Sequence, residues 1–226
     1  MTDEHHTFVF ADLAGFTALT EAHGDEHAAD IALEFCRELN RRLPDDAEDL
    51  KMLGDACLLR VAAARDAVAL GLRLTDELGR RHGFPDARVG MHTGGAARRG
   101  DDWFGSTINI AARVAELAGP TEVLLTAATL QAAGTLDGVG FEDRGTYELR
   151  HVTAPAHLYR ARATGPFEVS RMWSVDPVCQ MRVEVQRAAM AIRHGGSEVF
   201  FCSPSCAQEF LRKPERYARQ AGRSGS

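Results

Sequence analysis

The sequence predicts an α+β fold: an antiparallel sheet with helices packed on one face, followed by a small cysteine-bearing unit. Three observations carry that expectation. Short apolar strands and amphipathic helices alternate over the first 163 residues in the order βα-ββ-αβ-αβ. Gly54 and Asp55, set between two strand-like runs, form a hairpin signal. Beyond residues 164–170 the chain changes character, and three of its five cysteines cluster there. The expected division is a domain at 1–163, a linker at 164–170, a cysteine-bearing domain at 171–219 and a mobile tail at 220–226.

The elements follow in order. Phe8, Val9 and Phe10 read as a buried strand ending at Asp12, and a helical pattern follows Gly15. Residues 24–42 read as a helix, with Ala28, Ile31, Ala32, Phe35 and Leu39 on one apolar stripe. Two strands fill 50–61, and a second amphipathic helix spans 64–78. A strand at 87–92 leads into a loop rich in glycine and arginine. A third helix at 106–117 is stopped by Gly119 and Pro120. A strand at 122–126, a short helix at 127–133 and strands near 140–150 and 156–163 complete the domain.

Hydrophobic residues make up 45% of the chain, enough for a real core, and the net charge of −6 argues against broad nucleic-acid binding. No apolar run approaches the ~20 residues of a membrane span. The N-terminus is polar and acidic, unlike a signal peptide. The odd number of cysteines, with Cys36 and Cys57 in apolar segments, fits a reducing, cytoplasmic setting with a local thiol site and no disulfide framework.

Asp12 at a strand tip and Asp55 in a tight turn converge if their strands are neighbours. Two such carboxylates repel unless cations bridge them, and Mg²⁺ suits oxygen ligands. Taken singly, Asp12 also reads as a helix N-cap and Gly54-Asp55 as a plain turn. Asn109 and Arg113, four apart on a helix, present an amide and a guanidinium on one face, a pair suited to a phosphate.

In this order the segments resemble the class III nucleotidyl cyclase catalytic domain. Phe10-Ala-Asp-Leu-Ala-Gly-Phe-Thr17 is similar to its first metal motif, and Lys51-Met-Leu-Gly-Asp55 to its second. Arg88-Val-Gly-Met-His-Thr-Gly94 is similar to the strand that follows. Asp102-Trp-Phe-Gly-Ser-Thr-Ile-Asn-Ile-Ala-Ala-Arg113 is similar to its substrate and transition-state motif. The resemblance covers about residues 5–163 and implies a ferredoxin-like sheet. It implies conversion of ATP to cyclic AMP and pyrophosphate, with two Mg²⁺ or Mn²⁺ ions held by Asp12, Asp55 and the carbonyl of Leu13. Lys51 and Asp102 would read adenine, Asn109 would position the ribose, and Arg113 would stabilise the reacting phosphorus. Arg150 would meet the terminal phosphates. The site would form at a head-to-tail homodimer interface, with no nucleic-acid or membrane partner.

Three thiols, Cys179, Cys202 and Cys206, lie at a spacing compatible with Zn²⁺ or Cu⁺. Met181 and His194 are candidates for a fourth ligand. Asp176-Pro-Val-Cys179, Met181, Val199-Phe-Phe-Cys-Ser-Pro-Ser-Cys206, Phe210, Pro214 and Tyr217 resemble the YHS domain, related to TRASH-type metal-binding modules. Gln180 stands where a glycine is frequent. The combined expectation is a cyclase regulated by metal or redox state. The alternatives are a catalytically silent ATP-binding dimer module, or a metal-binding protein in which the cyclase domain is secondary.

Overall fold

The computed structural model describes residues 5–165 and 172–221. The greater part of the linker expected at 164–170, and of the tail expected at 220–226, lies outside the described residues. Along the chain run β1 (His5–Leu13), α1 (Phe16–His23), α2 (Asp25–Asn40), β2 (Ala47–Leu53), β3 (Ala56–Val61), α3 (Ala64–Gly79) and β4 (Ala87–Gly95). Next come β5 (Ala97–Arg99), β6 (Asp102–Phe104), α4 (Ser106–Leu117), β7 (Val123–Thr126), α5 (Ala127–Ala133), β8 (Val139–Tyr147) and β9 (Ala156–Ala163). The remainder holds β10 (Trp173–Val175), β11 (Arg182–Glu184), β12 (Met190–His194), β13 (Ser197–Phe201), α6 (Pro204–Arg212) and α7 (Pro214–Ala221). Contacts divide the chain into two compact units. The first takes Met1–Asp12, Ala32–Asp76 and Ala87–Pro166, and the second takes Leu13–Ile31, Glu77–Asp86 and Phe167–Ser226.

The first unit is built on a seven-stranded sheet in the order β2-β3-β1-β4-β7-β9-β8. β2, β3 and β1 pair antiparallel, as do β7, β9 and β8, while β4 and β7 are parallel. Helices cover both faces rather than the single face the sequence suggested, and two glycines show why. A Cβ on Gly71 of α3 would meet Val123, Met91 and Val89 side chains at 3.1–3.3 Å. A Cβ on Gly90 would lie 2.0 Å from the backbone nitrogen of Ala115 in α4. Neighbouring residues of a strand point to opposite faces, so α3 packs on the side of Val89 and Met91 and α4 on the other. On the α4 side, Phe8, Leu58 and Ala111 form a buried cluster with Phe10, Trp103 and Ile108 against it.

A disulfide joins Cys36 of α2 to Cys57 of β3, with Cα atoms 6.6 Å apart. This single cross-link departs from the expectation of a reducing setting with no disulfide framework. The two apolar segments that carry these thiols pack against each other, and packing brings the sulfurs together. The loop expected after residue 92 also contains more order than its composition suggested. β4 runs on to Gly95, and β5 and β6 form a short hairpin turned at Gly100, whose φ is 62°.

The second unit combines the cysteine-bearing segment with α1, the start of α2 and residues 77–86. Met181 pairs with Pro85, and Arg182 exchanges backbone hydrogen bonds with Gly83 and Phe84, both at 2.8 Å. Arg182 Nε donates to the buried Asp86 at 2.6 Å. Gly195 and Gly196, both with positive φ, close the β12–β13 hairpin, the requirement of a type I′ turn. Gln180 adopts φ 64°, a left-handed conformation in which glycine would be easy. Its side chain packs so tightly on Gly15 that a Cβ there would lie 2.5 Å from the Gln180 Cβ.

Candidate active site and thiol cluster

The register of β1 on β3 places the expected carboxylates. Ala11 pairs with Cys57, so Asp12 emerges beside the β2–β3 turn that carries Asp55. Burial raises the Asp55 carboxyl to about 7, reinforced by a hydrogen bond to Asp12 and by its negative charge. On the other side of β1, Arg88 of β4 donates through Nε to Asp12 Oδ2 at 2.8 Å, and its Nη2 meets the same oxygen. The sequence placed Arg88 on this strand but assigned it no partner. Two carboxylates brought together by the β1–β3 register form an oxygen donor set that fits a hard divalent cation.

Lys51 and Asp102 also meet. Nζ lies 3.2 Å from Oδ2, and each side chain is about half exposed, at 51% and 48%. The hydrogen bond from Lys51 holds Asp102 below the usual carboxylate range, helped by the Trp103 N–H. A β-bulge between Asp49 and Lys51 sets the side on which Lys51 projects, and the β5–β6 hairpin presents Asp102.

Asn109 is exposed on α4, and Arg113 lies one turn further on, where its guanidinium is bound to Glu116 of the same helix. Thr107 Oγ1 donates to the Gly95 carbonyl at 2.5 Å, which pins the start of α4 to the end of β4. Arg150 is exposed in the connection between β8 and β9. Among the described residues, no hydrogen bond or ion pair joins Asn109, Arg113 or Arg150 to the Asp12–Asp55 pair or to the Lys51–Asp102 pair.

The second unit gathers all three expected thiols and one side chain the sequence did not suggest. Cys179 Sγ is 3.4 Å from Cys202 Sγ, which is 3.8 Å from Cys206 Sγ. His23 Nε2, from the last turn of α1, lies 3.6 Å from Cys202 Sγ and 3.5 Å from Cys206 Sγ. The four ligand atoms all fall within 4.8 Å of one another. The candidates named for the fourth position are elsewhere. Met181 is buried against Pro85, and the His194 ring packs edge-on to Phe210 at 5.2 Å.

Asp176 fixes the loops that carry the thiols. It is fully buried, and its Oδ1 accepts from the N–H groups of Val178 and Cys179 at 2.9 and 3.4 Å. Its Oδ2 accepts from Cys202 N at 2.8 Å. Ser203 caps α6 by accepting from Cys206 N at 3.2 Å. The Cys206 thiol is held well below its ordinary range by hydrogen bonds from Cys179 and Cys202, with smaller help from Ser203 and His23.

Residues 2–160 match the adenylate and guanylate cyclase catalytic domain, and residues 174–221 match the YHS domain. The chain belongs to the adenylate and guanylate cyclase catalytic domain family. A pH-sensitive adenylate cyclase of Mycobacterium tuberculosis is 32% identical over 167 residues, 69% of this chain and 40% of that protein. An adenylate cyclase of Streptomyces griseus is 33% identical over 126 residues, 55% of this chain and 32% of that protein. The chain thus spans well under half the length of these curated relatives. Solved adenylate cyclases of Trypanosoma brucei, described in their monomeric state, share the fold with a TM-score of 0.65 at 21% identity, covering 71% of this chain and 89% of theirs. The adenylyl cyclase CyaB of Pseudomonas aeruginosa does so with a TM-score of 0.60 at 19% identity, covering 71% of this chain and 95% of its own. Among the described residues no helix is long and apolar enough to cross a membrane.

Proposed function

We propose that the chain is an adenylate cyclase that converts ATP to cyclic AMP and pyrophosphate as a head-to-tail homodimer. The observation that carries this is the contact between Asp12 and Asp55 in a chain of this family. Asp12, Asp55 and the Leu13 carbonyl would hold two Mg²⁺ or Mn²⁺ ions, whose charge, when bound, acidifies the ribose 3′-hydroxyl and offsets that of the triphosphate.

The Lys51 ammonium donates to adenine N1, and Asp102 accepts from the exocyclic amine. Guanine offers an N–H and an oxygen at those positions, so the pair disfavours it. Asn109 orients the ribose through its amide. Arg113 leaves Glu116 to meet the charge that grows on the α-phosphoryl group. The 3′-oxygen gives up its proton to solvent water and bonds to the α-phosphorus, and the bond from that phosphorus to the pyrophosphate oxygen breaks, releasing pyrophosphate. Arg150 holds the terminal phosphates.

Among the described residues of one chain, no hydrogen bond or ion pair joins the carboxylate pair to Asn109 or Arg113, which accords with two half-sites completed by a second copy. An ATP substrate accords with a cytoplasmic location. The thiol cluster supports a second role, in which Cys179, Cys202 and Cys206 hold a soft cation, Zn²⁺ or Cu⁺, that regulates the cyclase. Purified protein given ATP and Mn²⁺ should form cyclic AMP and pyrophosphate in equal amounts. A dimeric sample that forms neither would overturn the assignment.

A further inference from the structure

Three thiols and an imidazole converge at spacings that a tetrahedral metal would impose. Zn–S bonds are about 2.3 Å and Zn–N bonds about 2.0–2.1 Å, so a tetrahedral site separates its sulfurs by roughly 3.8 Å and sulfur from nitrogen by roughly 3.6 Å. The Cys179–Cys202 and Cys202–Cys206 sulfurs lie 3.4 and 3.8 Å apart, and His23 Nε2 lies 3.6 and 3.5 Å from the sulfurs of Cys202 and Cys206. The two remaining separations, from Cys179 to Cys206 and to His23, fall within 4.8 Å. A disulfide would need sulfurs about 2.05 Å apart and would use up two of the three thiols.

We infer that His23 closes a four-coordinate Cys₃His zinc site with Cys179, Cys202 and Cys206, so that the last turn of α1 is itself part of the metal centre. The inference rests on the soft-metal reading of the three cysteines and names the ligand, coordination number and metal that reading leaves open. Four ligands in a closed tetrahedron of thiolates and imidazole favour zinc over Cu⁺.

The surroundings suit the assignment. Asp176 binds the backbone of Cys179 and Cys202 at once, which holds two of the ligand loops in place before any ion arrives. The third thiol, Cys206, stands in the first turn of α6, which the Ser203 cap sets. A cleft of about 300 Å³, lined in part by Ala22, Val178, Cys206 and Tyr217, borders the site at Cys206. At the other end of α1, the Gly15–Gln180 contact packs the helix start against the same cysteine-bearing segment. Zinc would then fix the far end of a helix whose near end is already held. That helix is joined to Asp12 by Leu13, Ala14 and Gly15, so occupancy of the site is linked along the chain to a proposed catalytic ligand.

The test uses the full chain, purified anaerobically and reconstituted with zinc, then with Co²⁺ as a spectroscopic stand-in. Wild type should hold one zinc per chain, and the cobalt form should show a tetrahedral thiolate spectrum. His23→Ala should lose zinc affinity by at least about 100-fold, whereas His194→Ala should match wild type. His23→Cys guards against a misfolded alanine variant. It should keep the metal and strengthen the thiolate-to-cobalt charge-transfer band. Zinc should also slow amide exchange over residues 16–23 in wild type and not in His23→Ala. A wild type that binds no zinc would overturn the soft-metal reading together with the inference. Zinc bound equally well by wild type and His23→Ala would leave the cysteine site standing and overturn the role of His23. Preference for Cu⁺ over zinc at one ion per chain would overturn the choice of metal.

Discussion

Arg88 donates through Nε, at 2.8 Å, to the carboxylate of Asp12 that stands against Asp55. Its guanidinium supplies positive charge where two acids would otherwise face each other. Arg88→Ala should therefore destabilise the metal-free protein by about 1–3 kcal/mol, the usual penalty for stranding a half-buried polar partner. At roughly 2–4 °C per kcal/mol for a chain of this size, the melting temperature in EDTA should fall by about 2–12 °C. Mn²⁺ should restore most of that loss by replacing the missing charge. An unchanged melting temperature in EDTA would show that Arg88 does not balance the pair.

A site shared between protomers can be tested by mixing variants. Asp12→Ala and Arg113→Ala should each be inactive alone. Mixed, they should regain part of the activity, because one hybrid site keeps an intact carboxylate half and an intact arginine half. No recovery, with subunit exchange demonstrated by labelling, would contradict the head-to-tail dimer.

Base selection rests on the pairing of Lys51 with Asp102 at 3.2 Å. Lys51→Glu combined with Asp102→Cys reverses the pattern of donor and acceptor. ATP use should drop more than about tenfold and GTP use should rise, because polar groups matched to adenine are left unpaired. An unchanged preference would show that these side chains do not touch the base.

Burial pushes the His92 imidazole down to about 4, and its Nδ1 lies 2.7 Å from Thr126 Oγ1. An unfolded histidine titrates near 6.5, so between about pH 6.5 and 4 the unfolded chain binds more protons than the folded one. His92 therefore lowers stability as pH falls through that window and adds no pH dependence above it. The drop in melting temperature from pH 7 to pH 5 should be smaller in His92→Gln than in wild type. Equal drops in the two proteins would contradict the partly buried, neutral ring.

The parts of this fold written locally were legible in the sequence. The helix stopped by Gly119 and Pro120 spans Ser106–Leu117 as the pattern indicates, and the apolar stripe of the second helix, from Ala28 to Leu39, is buried throughout. Gly54 turns with φ 67° between two paired strands, which brings Asp55 to Asp12. Interactions that depend on packing were not legible. Arg88 lies 76 residues from Asp12, and only the order β3-β1-β4 makes them neighbours. His23 lies 179 residues from Cys202 and carries no local metal-site spacing, while the nearer His194 and Met181 drew attention by sequence proximity alone. Cys36 and Cys57 lie 21 residues apart in separate apolar segments, and nothing local marks them as a pair. The pairing of Arg113 with Glu116, by contrast, is local, three residues apart on one helix, and was legible from spacing alone.

The central claim is that Asp12 and Asp55 together make the chemistry possible. The most direct measurement is the rate of cyclic AMP formation from ATP with Mn²⁺, in wild type and in Asp12→Ala and Asp55→Ala dimers of confirmed fold. Wild type should turn over, and each variant should fall by at least about 10²–10³-fold, in line with losing a group that stabilises the transition state. Near-wild-type turnover in either variant would contradict the proposed site.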